Sequence, residues 1–186
     1  MQALIDYINS FAKLDEEAIY EMEQLVEIET FSKNQHILEA GQRCHKIWFL
    51  KSGMVRKYYL HEGKDITAWI HTENEFFTSL QSYAQQTVAN EYLQACEATE
   101  VIGLTRQNSE KLAHFPQFVV FSNALMEQEF ANIDSNTKAF ATKNAKEKYD
   151  YLKQIAPEIT KRAKLSHIAS ILGITPETLS RIRRLP

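Results

Sequence analysis

The sequence predicts an α+β protein: an antiparallel β-roll or jelly roll, then a long helix, then a C-terminal helix-turn-helix. Three observations predict it. Gly41, Gly53 and Gly63 punctuate short β-rich runs at intervals of ten to twelve residues. Helical periodicity returns after Arg106 and runs uninterrupted from about Gln117 to Thr142. The last 22 residues, LSHIASILGITPETLSRIRRLP, place small, glycine and apolar residues at the offsets of two helices joined by a tight turn. The expected divisions are 1–115 for the roll with its flanking helices, 116–142 for the long helix, and 143–186 for the helix-turn-helix part.

The first thirty residues read as helix. Leu4, Ile5, Ile8 and Phe11 recur at helical spacing, and Asp15-Glu16-Glu17 reads as an N-cap with an acidic first turn. Ala18, Met22, Leu25 and Val26 form the next buried stripe. From Phe31 to about Leu104 the runs shorten and become rich in Ile, Trp, Phe, Val and Tyr. His36-Ile37-Leu38, Ile47 to Leu50, Met54 to Leu60 and Ile66 to Ile70 are the expected strands, with Glu62-Gly63 as a hairpin turn. Glu91 to Leu104 supplies two more. Ser109 to His114 reads as a short helix stopped near Pro116.

The long helix carries two apolar stripes. One is Phe118, Phe121 and Leu125. The other is Met126, Phe130, Ile133, Thr137 and Phe140, at steps of 4, 3, 4 and 3, an a/d-type seam. A helix with two stripes must bury both. One stripe would lie on its own roll and the other on a partner helix as a dimer interface; the alternative is one helix sunk in a single core. Asn144 then opens another helix with Glu147 placed for a capping box, and Pro157 ends it.

In the terminal motif, Ile168 and Leu172 form the inner face of the first helix. Ala169 is small where the helices cross, and Gly173 takes the turn. Thr175 caps the second helix and Pro176 sits at its first position, where a missing N–H costs nothing. Leu179 and Ile182 face inward. Glu177, Thr178, Ser180, Arg181 and Arg184 face outward, and these types suit a DNA major groove. Arg181 can donate two bonds to guanine, and Glu177 can accept from cytosine. With Thr175 and Lys164 they make the candidate DNA-binding set. Lys161, Arg162 and Arg183, like Lys164, fit phosphate contacts. The alternative is a helical hairpin with a solvated basic face.

The charge pattern agrees with a polyanion partner. The net charge is −3, but residues 1–137 hold 10 basic and 20 acidic side chains, whereas residues 138–186 hold 11 and 4. A 44% hydrophobic fraction with 10 Phe, 8 Tyr and 2 Trp supports a packed core and excludes a disordered chain. Two cysteines, Cys44 and Cys96, exclude a disulfide scaffold and cannot fill a four-thiolate site. No apolar run reaches membrane-span length, and the N-terminus lacks a signal-peptide pattern, so the expectation is a cytoplasmic protein with no membrane partner.

ILEAGQRCHKIWFLKSGMVRKYYLHEGKD resembles the first half of the β-roll of the CRP/FNR transcription regulators, a cyclic-nucleotide-binding-like domain. LGITPETLSRIRR, preceded by NAKEKY, resembles the short Bacteroidetes members of that family. The resemblance covers nearly the whole chain. It implies a homodimer that reads a two-fold double-stranded DNA operator, with half-sites roughly 34 Å apart, and RNA polymerase as a further partner. Glu177 and Arg181 match the family's base-reading Glu and Arg, while Pro176 stands where many members have Arg. Many members carry a β-hairpin wing after the second helix; this sequence stops at Pro186, as either a short member or a shortened chain would.

At the effector position the sequence departs from the family. The resemblance places an effector pocket at Phe77, Thr78, Ser79, Leu80, Ala89 and Asn90. Thr78-Ser79 replace the Gly-Glu pair of cyclic-nucleotide binders, and Ala89-Asn90 replace their Arg pair. No Arg or Lys occurs between Lys64 and Arg106. A cyclic phosphate there would lack its counter-charge, which argues against cyclic AMP or cyclic GMP. Asn74 replaces a family glycine and tolerates the left-handed region. Trp69, Phe76, Phe77, Tyr83 and Tyr92 are expected to line a pocket for an effector of unknown identity, or simply to be core. His45, His71 or His114 could be a haem ligand, and Cys96 a redox site, but the expectation is no cofactor and no metal. Two other function classes remain open: a ligand-binding roll acting through protein–protein contacts, and a cupin-like metal site with His71 and Glu73 as its candidate pair. No nucleophile–base constellation or Gly-rich phosphate loop is present, so no enzyme is expected.

Overall fold

The structure, a computed structural model, describes residues 1–184. Leu185 and Pro186, the last two residues of the terminal motif, lie outside the described residues. Two short helices open the chain, α1 (Gln2–Asn9) and α2 (Glu16–Leu25). Asp15 caps α2 as expected, its side chain accepting from the Ala18 N–H at 2.8 Å. Strand β1 (Val26–Phe31) follows at once. The helix therefore ends earlier than the apolar stripe through Val26 suggests. Val26, Ile28 and Thr30 are β-branched, and an unbroken antiparallel ladder with the last strand decides the conformation.

The remaining strands are β2 (His36–Leu38), β3 (Lys46–Ser52), β4 (Val55–His61), β5 (Lys64–His71), β6 (Phe76–Phe77), β7 (Tyr92–Ala95) and β8 (Thr99–Thr105), with helix α3 (Leu80–Gln85) between β6 and β7. They form two four-stranded antiparallel sheets in the orders β1-β8-β3-β6 and β2-β7-β4-β5. The β4–β5 hairpin turns on Glu62 and Gly63, both at positive φ. Gly53 also has positive φ (98°), and a Cβ there would meet the Ala98 carbonyl at 2.6 Å. The two-residue β6 and α3 carry no sequence signal of their own.

Helix α4 (Arg106–Leu112) starts three residues before the expected Ser109, because the Thr105 side chain caps it by accepting from the Asn108 N–H. Helix α5 (Pro116–Thr142) matches its expected span. Helix α6 (Ala145–Ile155) opens on the capping box of Asn144 and Glu147. Pro157 ends α6 but also begins α7 (Pro157–Arg162), which the sequence reading lacks. Helices α8 (Leu165–Leu172) and α9 (Pro176–Ile182) close the described chain.

Three cores hold these elements. Leu4, Ile8, Met22, Phe121 and Leu125 pack with Phe49 on the helix side of the first sheet. Trp48 and Leu50, the neighbours of Phe49 on β3, point the other way, into the roll, where they meet Val55, Phe77, Leu93 and Val101. A third core joins Met54 and Ile70 of the roll to Leu152, Ile159, Ile168, Leu172 and Leu179 of the C-terminal helices. It fixes where the helix-turn-helix sits.

Candidate nucleic-acid interface

The C-terminal hairpin is built as its residues dictate. Ile168, Ala169, Leu172 and Leu179 are each at most 1% exposed. Gly173 takes φ 66° and ends α8 in the left-handed conformation. The Thr175 hydroxyl accepts from the Thr178 N–H and caps α9. Apolar packing and capping thus leave the other face of α9 to solvent. Glu177, Arg181, Arg183 and Arg184 are exposed, and Thr178 and Ser180 are partly so. Thr178 lies 3.1 Å from the Thr175 hydroxyl and accepts from Arg181 Nη2 at 3.4 Å. Glu177 sits in the first turn, where its own N–H and the Thr175 side chain hold its carboxyl below the usual carboxylate range. It is an anionic acceptor at neutral pH, and Arg181 beside it offers a fork of donors. Lys164 is exposed at the start of α8.

Arg162 does not join this surface. It reaches back to the roll, donating to both Glu73 oxygens at 2.8 Å, to the Gly53 carbonyl at 3.2 Å, and to Glu97. This corrects its expected role as a phosphate contact. Lys161 is exposed and pairs with Glu158 at 2.8 Å.

Helix α5 separates its two stripes. Phe118, Phe121 and Leu125 are buried against the roll. Met126, Phe130 and Ile133 are 42%, 59% and 51% exposed, and Thr137 is exposed too. Val119, 42% exposed, lies seven residues before Met126 and extends the stripe, a position that sequence reasoning passed over. Phe140 departs from the seam. It packs on the third core, edge-on to Tyr151 with ring centroids 6.0 Å apart. A cavity of about 350 Å³ opens beside the N-terminal part of the seam, lined by Met126, Val119, Phe76 and Leu104 among others.

The residues of the expected effector pocket do not converge on a free space. Phe77 stacks between Trp48 and His71. The Thr78 hydroxyl donates to the Lys46 carbonyl at 2.8 Å and lies 3.2 Å from Cys44 Sγ. Ser79 is buried, and its carbonyl accepts the Tyr83 N–H. The Ala89 N–H and C=O are both spent on Gln42 and Gly41. Leu80 and Asn90 are exposed. Of the five aromatics expected around one pocket, Phe76 and Tyr83 line the cavity beside the seam, while the other three do not. Trp69 packs on the third core, Phe76 on the first, and Phe77 and Tyr83 on the second, while Tyr92 stacks on Tyr58 at 4.8 Å.

His71 and Glu73, the candidate metal pair, have different partners. His71 Nδ1 lies 3.2 Å from Glu75, and Glu73 belongs to Arg162 and the Gly53 N–H. No group of three or more His, Cys, Asp or Glu side chains suited to a metal ion occurs among the described residues. Burial pushes the Cys96 thiol up to about 11, which keeps it protonated and unreactive at neutral pH. His45 and His114 are exposed and hydrogen-bonded to Gln86 and to the Lys111 carbonyl. Asn74 adopts φ 65°, as expected of a glycine substitute. No described helix is long and apolar enough to cross a membrane.

Comparison with known proteins agrees with this architecture. No curated protein sequence matches the chain. Residues 28–114 match the family model of the cyclic nucleotide-binding domain. Among solved structures, the chain is similar to a CooA mutant from Carboxydothermus hydrogenoformans, at 20% identity and TM-score 0.68, covering 86% of this chain and 75% of that one. It is similar to the catabolite activator protein of Thermus thermophilus, at 18% identity and TM-score 0.57, over 91% and 82% of the two chains. A CRP/FNR-family putative transcriptional regulator from Eubacterium rectale gives 17% identity and TM-score 0.66, over 92% and 82%. Residues 28–114 therefore resemble the cyclic nucleotide-binding domain, and the chain that carries them shares the fold of the CRP/FNR regulators.

Proposed function

We propose that this chain is a dimeric, sequence-specific DNA-binding transcription regulator of CRP/FNR type, and we assign it no catalytic step. The observation that carries the reading is the exposed face of α9, where an ionised Glu177 and the Arg181 fork stand on a hairpin whose inner face is fully packed. A packed inner face fixes the helix as a rigid reader, and the side chains left outside are those that pair with base edges. The exposed α5 stripe through Met126, Phe130, Ile133 and Thr137 supports a second copy as partner, which would pair two such helices across a two-fold axis. Residues 1–115, 116–142 and 143–186 then divide the work into roll, dimer helix and reader.

The roll of this regulator does not take cyclic AMP. A cyclic phosphate needs a guanidinium and free N–H groups, but no Arg or Lys lies between Lys64 and Arg106, and the Ala89 N–H is already bonded. Fluorescence anisotropy on duplex DNA tests the DNA reading. Affinity should fall linearly with salt on a log–log scale, as phosphate neutralisation requires. Binding that is absent, or indifferent to salt, contradicts it. Calorimetric titration with cyclic AMP should give no saturable heat, and saturation at micromolar ligand would overturn that part.

A further inference from the structure

A small cleft of about 90 Å³ lies where the roll meets the C-terminal helices, lined by Lys33, Arg56, Gln94, Cys96, Lys164 and His167 among others. We propose that this cleft is a binding site for a small phosphate-type oxyanion, either inorganic phosphate or the phosphoryl group of a soluble metabolite. The volume is that of about three water molecules, room for one tetrahedral anion and little else.

Charge is the first argument. Arg56 is paired with Asp65 at 2.8 Å, and Arg162 with Glu73 and Glu97. Lys33 and Lys164, both in the lining, have no carboxylate partner among the described residues. Glu97 also lines the cleft, and Arg162 is one cation between two carboxylates, so the two unpaired lysines leave the site with a small positive excess.

Built donors are the second argument. Arg56 is 7% exposed, and its Cζ sits 3.9 Å over the Tyr58 ring. Its Nε donates to Gln94 and its Nη1 to Asp65 and Thr67, while Nη2 meets Asp65. A guanidinium has five N–H groups, so one on Nη2 has no partner. His167 Nδ1 is also buried without a hydrogen-bond partner. Burial, then Arg56 and Lys164, push this imidazole down to about 4, against a weaker opposing pull from Asp65. The ring is held neutral chiefly by burial, and because Arg56 and Lys164 also act on it, it is a probe for an anion bound beside them.

The site shares Lys164 with the proposed DNA-binding set, but its cavity is formed with the roll and not with the outer face of α9. Lys164 is exposed and could also meet a DNA phosphate, so the test separates the two sources. The His167 ring resonances are followed against pH by NMR, with inorganic phosphate in one arm, chloride of equal ionic strength in a second and duplex DNA in a third. Phosphate should raise the His167 pKa by about half a unit or more, as a neighbouring anion does. Lys33→Gln and Lys164→Gln, both surface changes that leave the core intact, should each weaken the apparent phosphate affinity roughly tenfold. No shift beyond the chloride arm, or an unchanged response in Lys33→Gln, would overturn the proposal. So would a shift produced by duplex DNA and not by inorganic phosphate, which would assign these cations to the DNA backbone.

Discussion

At the scale of single residues, the proposed DNA specificity rests on Glu177 and Arg181, one helical turn apart. Arg181→Ala should cost about 1–3 kcal/mol at the cognate site and relax the sequence preference there, measured as affinity for cognate against scrambled duplexes. Lys164→Ala should instead weaken all sequences alike and reduce the salt slope by about one. Much of this was legible beforehand. Thr175, Pro176, Gly173 and the inward leucines follow from local rules of capping and turn formation, and the outward set is what those rules leave over. Arg162 was not legible, because its role depends on Glu73 and Glu97, far away in the chain. Sequence shows a charge but not its partner. The effector position shares this limit. The missing Arg pair could be read from the sequence, but the consumption of the Ala89 and Ser79 backbone groups required the fold.

Among the elements, α5 carries the most consequence. Its buried stripe anchors the roll, and its exposed stripe from Met126 to Ile133 is left uncovered by the described residues. Phe130→Glu should leave the fold intact, because Phe130 is 59% exposed, yet yield monomers in sedimentation velocity. A stable mutant dimer would refute the seam. The two stripes were readable because helical spacing separates them by angle. Phe140 matched the spacing but turns into the third core, since the last turns of α5 meet α6. Strand β1 was misassigned for a related reason. Val26 satisfies the helical stripe of α2 as well as a strand, and only the β8 ladder, some seventy residues away, decides between them. Helix α7 has the same origin, for Pro157 is both a stop and a favourable first position.

For the molecule as a whole, the decisive feature is that the C-terminal helices are docked on the roll. Besides the third core, the Thr67 N–H donates to the Ser170 hydroxyl at 2.9 Å, and Arg162 bridges two acidic turns. Arg162→Ala should destabilise the protein by about 1–2 kcal/mol, a modest figure because these side chains remain about 30% exposed. Arg162 holds the Glu73 carboxyl below its ordinary value. That contribution is therefore complete above the unfolded carboxylate range and is lost as pH falls through the folded value. His167, depressed to about 4, acts in the same sense, since the unfolded ring takes up a proton first as pH falls from about 6.5. Thermal midpoints should drop on acidification, and Arg162→Ala should flatten only the Glu73 part of that slope. The central claim, that this molecule reads DNA as a dimer, is tested most directly by selecting sites from a random duplex library with the purified protein. The account predicts enrichment of a two-fold symmetric site with half-site centres about one helical turn apart, lost in Arg181→Ala. Recovered sequences indistinguishable from the starting library would contradict it.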